Sequence, residues 1–154
     1  MQVGSERHGI GIWRSENGGF HAGLWQRNKR HGFGMSRTKE GETYVGEFFN
    51  DEQHGEGVFT SPEGDKYEGS WKFGTQNGFG EYLFPNGDKY RGEWKEGDPH
   101  GEGKMQSQHY VYEGEWKMGK KEGKGKLTLK SDGRVFEGIW KDDRFIQPKS
   151  ELVG

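Results

Sequence analysis

The chain has 154 residues, a formal net charge of −2, no cysteine, and only 25 Ile, Leu, Val and Phe residues in total, which excludes disulfides, thiolate metal sites and an ordinary aliphatic two-layer core. Its 23 Lys plus Arg against 25 Asp plus Glu disfavour bulk nucleic-acid binding, and no apolar run approaches the roughly 18 residues of a membrane helix. What remains in surplus is aromatic, at 14%, and glycine, at 29 residues; disordered chains are poor in aromatics, so the rings are expected to organise a soluble, intracellular fold.

In chain order, the first marker is His8-Gly9-Ile10-Gly11, followed by the turn dipeptide Asn17-Gly18. From position 21 a composite pattern sets in. His21-Gly23-Trp25 is followed by His31-Gly32-Phe33-Gly34 and Glu40-Gly41; Tyr44-Gly46-Phe48 by His54-Gly55-Glu56-Gly57 and Glu63-Gly64. Tyr67-Gly69-Trp71 leads to Asn77-Gly78-Phe79-Gly80 and Asn86-Gly87, and Tyr90-Gly92-Trp94 to His100-Gly101-Glu102-Gly103. This fourth unit then runs Gln108-His109-Tyr110-Val111 without glycine, so its turn is expected to differ. Tyr112-Gly114-Trp116 precedes Glu122-Gly123-Lys124-Gly125 and Asp132-Gly133, and Phe136-Gly138-Trp140 opens a last unit in which Phe145-Ile146-Gln147-Pro148 replaces the glycine block. The starts at 21, 44, 67, 90, 112 and 136 give steps of 23 residues, with one of 22 and one of 24, which is the signature of a repeat protein.

Period two decides the secondary structure. In Tyr67-Glu68-Gly69-Ser70-Trp71 the rings and the glycine share one face of an extended strand and the polar residues share the other. Stretches such as Glu81-Tyr82-Leu83-Phe84 alternate likewise, and glycine every few residues costs a helix about 1 kcal/mol each relative to alanine. Each unit is therefore predicted to be a β-hairpin, with turn dipeptides reversing the chain. Consecutive hairpins make an all-β antiparallel meander in which stacked Tyr and Trp rings supply the burial that aliphatic residues do not.

The pattern Y-x-G-x-W, with H-G-x-G ten residues on and a 23-residue period, resembles MORN repeats (membrane occupation and recognition nexus). The resemblance covers a single array over residues 1–154: five full repeats in 21–135 and partial repeats in 1–20 and 136–154. It departs at His21, Phe48, Asn77 and Glu122 and in the last unit. It implies an elongated single-layer twisted antiparallel sheet, groove-shaped in section, without enzymatic activity or cofactor. It also implies a cytoplasmic scaffold of cytoskeletal, ciliary or membrane-junction assemblies that binds partner segments along the groove, and a possible homodimer through the array ends.

Three sets of residues are candidates for function. Tyr44, Phe48, Tyr67, Trp71, Tyr90, Trp94, Tyr112 and Trp116 form the aromatic stripe; such rings dominate binding hot spots, but in so aliphatic-poor a chain they are equally the expected core. Lys117, Lys120, Lys121, Lys124, Lys126 and Lys130 meet only Glu122 as an opposing charge, a patch for anionic lipid headgroups or an acidic partner or else a solvated face. Phe145, Ile146 and Pro148 break the pattern at the end of the array, and are expected to form a cap or an association surface, since open sheet edges are usually blunted. The histidines at 8, 31, 54 and 100 lie at least one repeat apart, too far for a shared metal, so a turn role is expected of them. No Gly-x-Gly continues as Gly-x-Gly-x-x-Gly, which argues against a nucleotide fold, and no nucleophile elbow or convergent acid and base points to an enzyme. The readings left open are a protein scaffold, a peripheral adaptor on anionic phospholipid, and the targeting module of a larger enzyme.

Overall fold

The computed structural model describes residues 7–152. It is all-β, and the chain divides into two units, residues 1–75 and 76–154. The first holds β1 (Gly9–Arg14), β2 (Phe20–Gln26), β3 (Lys29–Arg37), β4 (Thr43–Phe49), β5 (Glu52–Thr60) and β6 (Lys66–Lys72). The second holds β7 (Thr75–Leu83, starting at the boundary), β8 (Lys89–Lys95), β9 (Asp98–Gln106), β10 (Tyr110–Lys117), β11 (Lys120–Leu129), β12 (Val135–Lys141) and β13 (Arg144–Pro148), with a 3-10 turn over Lys149–Glu151. Within each unit every strand pairs antiparallel with the next in the chain, giving one open sheet in sequence order.

Two kinds of turn alternate. The expected dipeptides close the connections between repeats: Gly41 and Gly64 donate their amides to Thr38 and Ser61, and Gly87 to Phe84. The glycine-free connection is shorter, running from Ser107 to Tyr110, with Ser107 Oγ accepting from the His109 and Tyr110 amides at 3.1 Å each. Inside each repeat, tight two-residue turns join the aromatic strand to the glycine strand. Arg27-Asn28, Asn50-Asp51 and Asp142-Asp143 have positive φ at both residues, as do Phe73-Gly74, Glu96-Gly97 and Met118-Gly119, the type I′ geometry that matches strand twist.

After the tight turn the register slips. Pairing passes from Gly46↔Gly57 to Phe48↔Gln53, a bulge that passes over Glu47; the same shift recurs at Gly23/Trp25, Gly92/Trp94 and Gly114/Trp116. A bulge leaves backbone groups unpaired, and the aromatic motif supplies their partners. Tyr44, Tyr67, Tyr90 and Tyr112 donate their hydroxyls to the carbonyls of Glu47, Ser70, Glu93 and Glu115 at 2.8–3.0 Å. The carboxylates of Glu47, Glu93 and Glu115 accept the amides of Glu56, Glu102 and Lys124 at 2.6–2.7 Å. Each Tyr ring lies so close over the glycine of the next strand that a Cβ at Gly57, Gly103 or Gly125 would collide with it.

The rings form the core. Tyr67, Tyr90 and Tyr112 are 0% exposed, and Trp25, Trp71, Trp94, Trp116 and Trp140 only 5–7%. In the first unit Trp71 stands edge-on between Tyr44 and Tyr67, both at 5.2 Å; in the second, Trp116 stands likewise between Tyr90 and Tyr112. These are the edge-to-face contacts that ring quadrupoles favour. The indole nitrogens of Trp71, Trp94, Trp116 and Trp140 each donate to a glycine carbonyl at 3.1 Å.

The other face differs between the units. In the first, one cross-strand row reads Ile12, Ala22, Met35, Val45, Val58, Glu68. The corresponding row of the second reads Glu81, Arg91, Lys104, Glu113, Lys126, Glu137.

Candidate binding site

The first unit carries a cleft of about 530 Å³ on its ring-bearing face. Its floor is the end of the aromatic layer: Trp25, His21, Tyr44 and Phe59, with Trp13 at one side. Its polar lining is of mixed sign, with Arg7, Arg30, Arg37 and Lys39 alongside Glu40, Glu42 and Asp51.

His21 stands where the next four units place tyrosine. It is 2% exposed and lies edge-on to Trp25 at 5.1 Å and to Phe48 at 4.8 Å. Its Nδ1 meets Ser36 Oγ at 3.2 Å, while its buried Nε2 has no hydrogen-bond partner among the described residues. Burial first, and the Arg30 guanidinium second, hold its pKa down to about 4 against a partial offset from Asp51, so the ring is neutral near pH 7. Burial likewise raises the hydroxyl pKa values of Tyr44, Tyr67, Tyr90 and Tyr112, which keeps them hydrogen-bond donors.

Arg30 spans the cleft wall. Its Nη1 donates to Ser36 Oγ at 3.1 Å, its Nε to Asp51 Oδ1 at 3.1 Å and its Nη2 to the Asp51 carbonyl at 2.6 Å, while the guanidinium lies 5.0 Å over the Phe48 ring. Burial pulls the Asp51 carboxyl upward, but the Arg30 hydrogen bonds outweigh it and leave the group below its ordinary value. Arg7 covers Trp13 at 4.8 Å and Trp25 at 5.2 Å.

The second unit repeats this device with a lysine. Lys121 occupies the repeat position of Arg30; its side chain is 12% exposed, 3.6 Å from Asp143 and within 6 Å of the rings of Tyr110, Tyr112, Trp116 and Trp140. Sequence reasoning missed Arg30 and Asp51 altogether. Their signal was a cation nine residues after the repeat start, with an aspartate in the tight turn one unit later.

A family model described as MORN repeat matches residues 21–42, 44–66, 67–89, 90–108 and 112–134. The chain belongs to the MORN-repeat family. No curated protein matches it. MORN repeats build scaffolds that engage proteins or membrane lipids and are generally non-catalytic, and no helix among the described residues is long and apolar enough to cross a membrane.

The MORN geometry redistributes the sequence candidates. Tyr44, Phe48, Tyr67, Trp71, Tyr90, Trp94, Tyr112 and Trp116 are all buried, so a ligand on this face meets their rims and the side chains around them rather than the flat rings. The lysines sit in different surroundings. Lys121 turns in among the rings, Lys117 and Lys120 flank a tight turn, Lys130 lies beyond the end of β11, and Lys126 sits in register between Glu113 and Glu137. Phe145 packs on Trp140 at 5.2 Å and Phe136 at 5.6 Å and so covers the end of the second unit's ring layer, whereas Ile146 is exposed and Pro148 pairs with Gly138. The repeat histidines serve the tight turns: His31 Nδ1 accepts the Asn50 amide and His54 Nδ1 the Phe73 amide, both at 3.4 Å. Among the described residues no group of three or more His, Asp or Glu could hold a metal ion.

Proposed function

We propose that this chain is a non-enzymatic scaffold that holds an extended segment of a partner protein against the ring-bearing face of its sheet, in a cytoskeletal or ciliary assembly of the kind the repeat family serves. The observation that carries this reading is the cleft of about 530 Å³ in the first unit, with an aromatic floor and walls of both charge signs. Side chains of an extended peptide alternate every second residue, which suits a floor of rings and a polar rim. Anionic lipid is the weaker reading, because Glu113 and Glu137 flank Lys126 and Lys121 is engaged among rings.

The test is affinity capture from cytosol and membrane extracts with the wild type, with Phe59→Ala plus Arg37→Glu, and with Lys124→Glu plus Lys126→Glu, after circular dichroism has shown that each variant is folded. Loss of a specific protein band in the cleft variant alone supports the scaffold. Loss of sedimentation with anionic vesicles in the lysine variant alone moves the function to lipid.

A further inference from the structure

A second row of side chains runs beside the tyrosine positions, and one member of it is too small for its place. Positions 13, 36, 59, 82, 105 and 127 recur every 23 residues, with one step of 22, and carry Trp, Ser, Phe, Tyr, Met and Leu. Phe59 pairs across the strands with Tyr44 and Tyr67, Met105 with Tyr90 and Tyr112, and Ser36 with His21 and Tyr44. Trp13 pairs with His21, Tyr82 with Tyr90 and Leu127 with Tyr112. Directly paired residues share a face of the sheet, so the large side chains stand beside the tyrosine-position rings on the ring-bearing face, and Ser36 leaves a gap in that row.

The cleft of the first unit lies at this gap: Trp13, Ser36 and Phe59 all line it, together with His21 and Tyr44 from the strands between them. Neighbouring strands are about 5 Å apart, so Trp13 and Phe59, two strands away on either side, stand about 10 Å from Ser36. Arg30 borders the gap as a fixed plane, because its Nη1 donates to Ser36 Oγ while its Nε and Nη2 are held by Asp51. A guanidinium held in this way stacks on aromatic rings, as it already does over Phe48. Ser36 Oγ meets both Arg30 and His21 Nδ1, so a ring can cover it without stranding a buried polar group.

We infer that the gap at Ser36 is the anchor pocket for one aromatic side chain of the partner segment, which completes the row between Trp13 and Phe59 and stacks beside the Arg30 guanidinium. This rests on the cleft reading above and names the side chain that the cleft selects. The chemistry of the occupant is taken from the chain itself, where the two hairpins that follow put Phe59 and Tyr82 in the equivalent place. A single ring in a pocket with charged groups around it, here Arg37, Lys39 and Glu42, has the anatomy of a binding hot spot. Ser36 is thus the residue that makes this hairpin a receptor, where its successors fill the place with side chains of their own.

The probe is p-cresol, the tyrosine side chain without its backbone, titrated into the isotope-labelled full chain and followed by NMR. Saturable shifts at Ser36, Phe59 and the Arg30 guanidinium are expected, with a Kd on the order of millimolar and nuclear Overhauser contacts from the cresol ring to the Ser36 and Phe59 side chains. Ser36→Phe places the residue of the next hairpin in the gap and should weaken binding about tenfold or more; isopentanol, an aliphatic probe of similar size, should bind the wild type several-fold more weakly. No saturable shift at about ten times that concentration, contacts located elsewhere, or undiminished binding by folded Ser36→Phe overturns the proposal, and if that variant does not fold the wild-type contacts decide. Equal binding of isopentanol overturns the choice of a ring. The outcome is separable from that of the cleft reading. A partner captured by Ser36→Phe but lost by Phe59→Ala plus Arg37→Glu keeps the cleft and removes the anchor, whereas cresol seated at Ser36 with no partner captured keeps the pocket and removes the scaffold.

Discussion

His21 makes the first unit acid-sensitive, and the size of the effect follows from its burial. The folded-state pKa is held down to about 4 from the ordinary 6.5, so the unfolded chain takes the proton first. Stability from this group is complete above pH 6.5 and is lost as the pH falls towards 4, where the folded ring also protonates. A gap of that size corresponds to about 3 kcal/mol at 1.36 kcal/mol per pKa unit, against total stabilities of roughly 5–15 kcal/mol for a domain. The charged groups facing the ring are Arg30, which opposes protonation, and Asp51, which favours it; Ser36 is its hydrogen-bond partner. His21→Tyr restores the residue of the next four units and has the glycine it needs at Gly34. Urea unfolding followed by tryptophan fluorescence at pH 7, 6, 5 and 4 should show the wild type losing about 3 kcal/mol more than His21→Tyr. A difference between the two proteins that does not change with pH refutes the reasoning.

Tyr90→Phe removes one hydroxyl and leaves the Glu93 carbonyl without that donor, which should cost about 1 kcal/mol, whereas Tyr90→Ala empties a fully buried ring site and should cost about 3–5 kcal/mol; chemical denaturation separates the two. Gly103→Ala drives a methyl into the Tyr90 ring and should destabilise by at least about 1–3 kcal/mol, while Gly11→Ala, whose methyl makes only ordinary contact with the Trp25 ring at 3.9 Å, should melt within about 2 °C of the wild type. Lys121→Met keeps the stem packed among the rings and removes the Asp143 pairing; its unfolding free energy should change by less than about 1.5 kcal/mol in either direction.

The hairpin repeat was legible because it is carried by local rules: alternation in Tyr67–Trp71, turn dipeptides at Asn86-Gly87 and their kin, and a ring surplus with nothing aliphatic to replace it. The bulge was not legible. It arises from the mismatch between a tight two-residue turn and the longer glycine strand, and only the folded register shows why Tyr44 needs a hydroxyl and why Glu47 follows Gly46. The surroundings of the lysine run were not legible either, because strand alternation alone does not reveal that Lys121 lies inward beside Trp116 or that glutamates of the neighbouring strands flank Lys126. Arg30 and Asp51 escaped notice because their pairing spans 21 residues and joins a strand start to the next tight turn.

The account turns on the aromatic stripe being the core rather than the contact surface, and iodide quenching of tryptophan fluorescence tests that most directly. Of the six tryptophans, Trp13 is 39% exposed and the other five lie at 5–7%. Only the Trp13 fraction should be quenched, and Trp13→Phe should leave a protein whose emission iodide barely changes. Quenching of most of the emission in the folded Trp13→Phe protein would contradict the account, because the rings would then face solvent and the sheet would need another core.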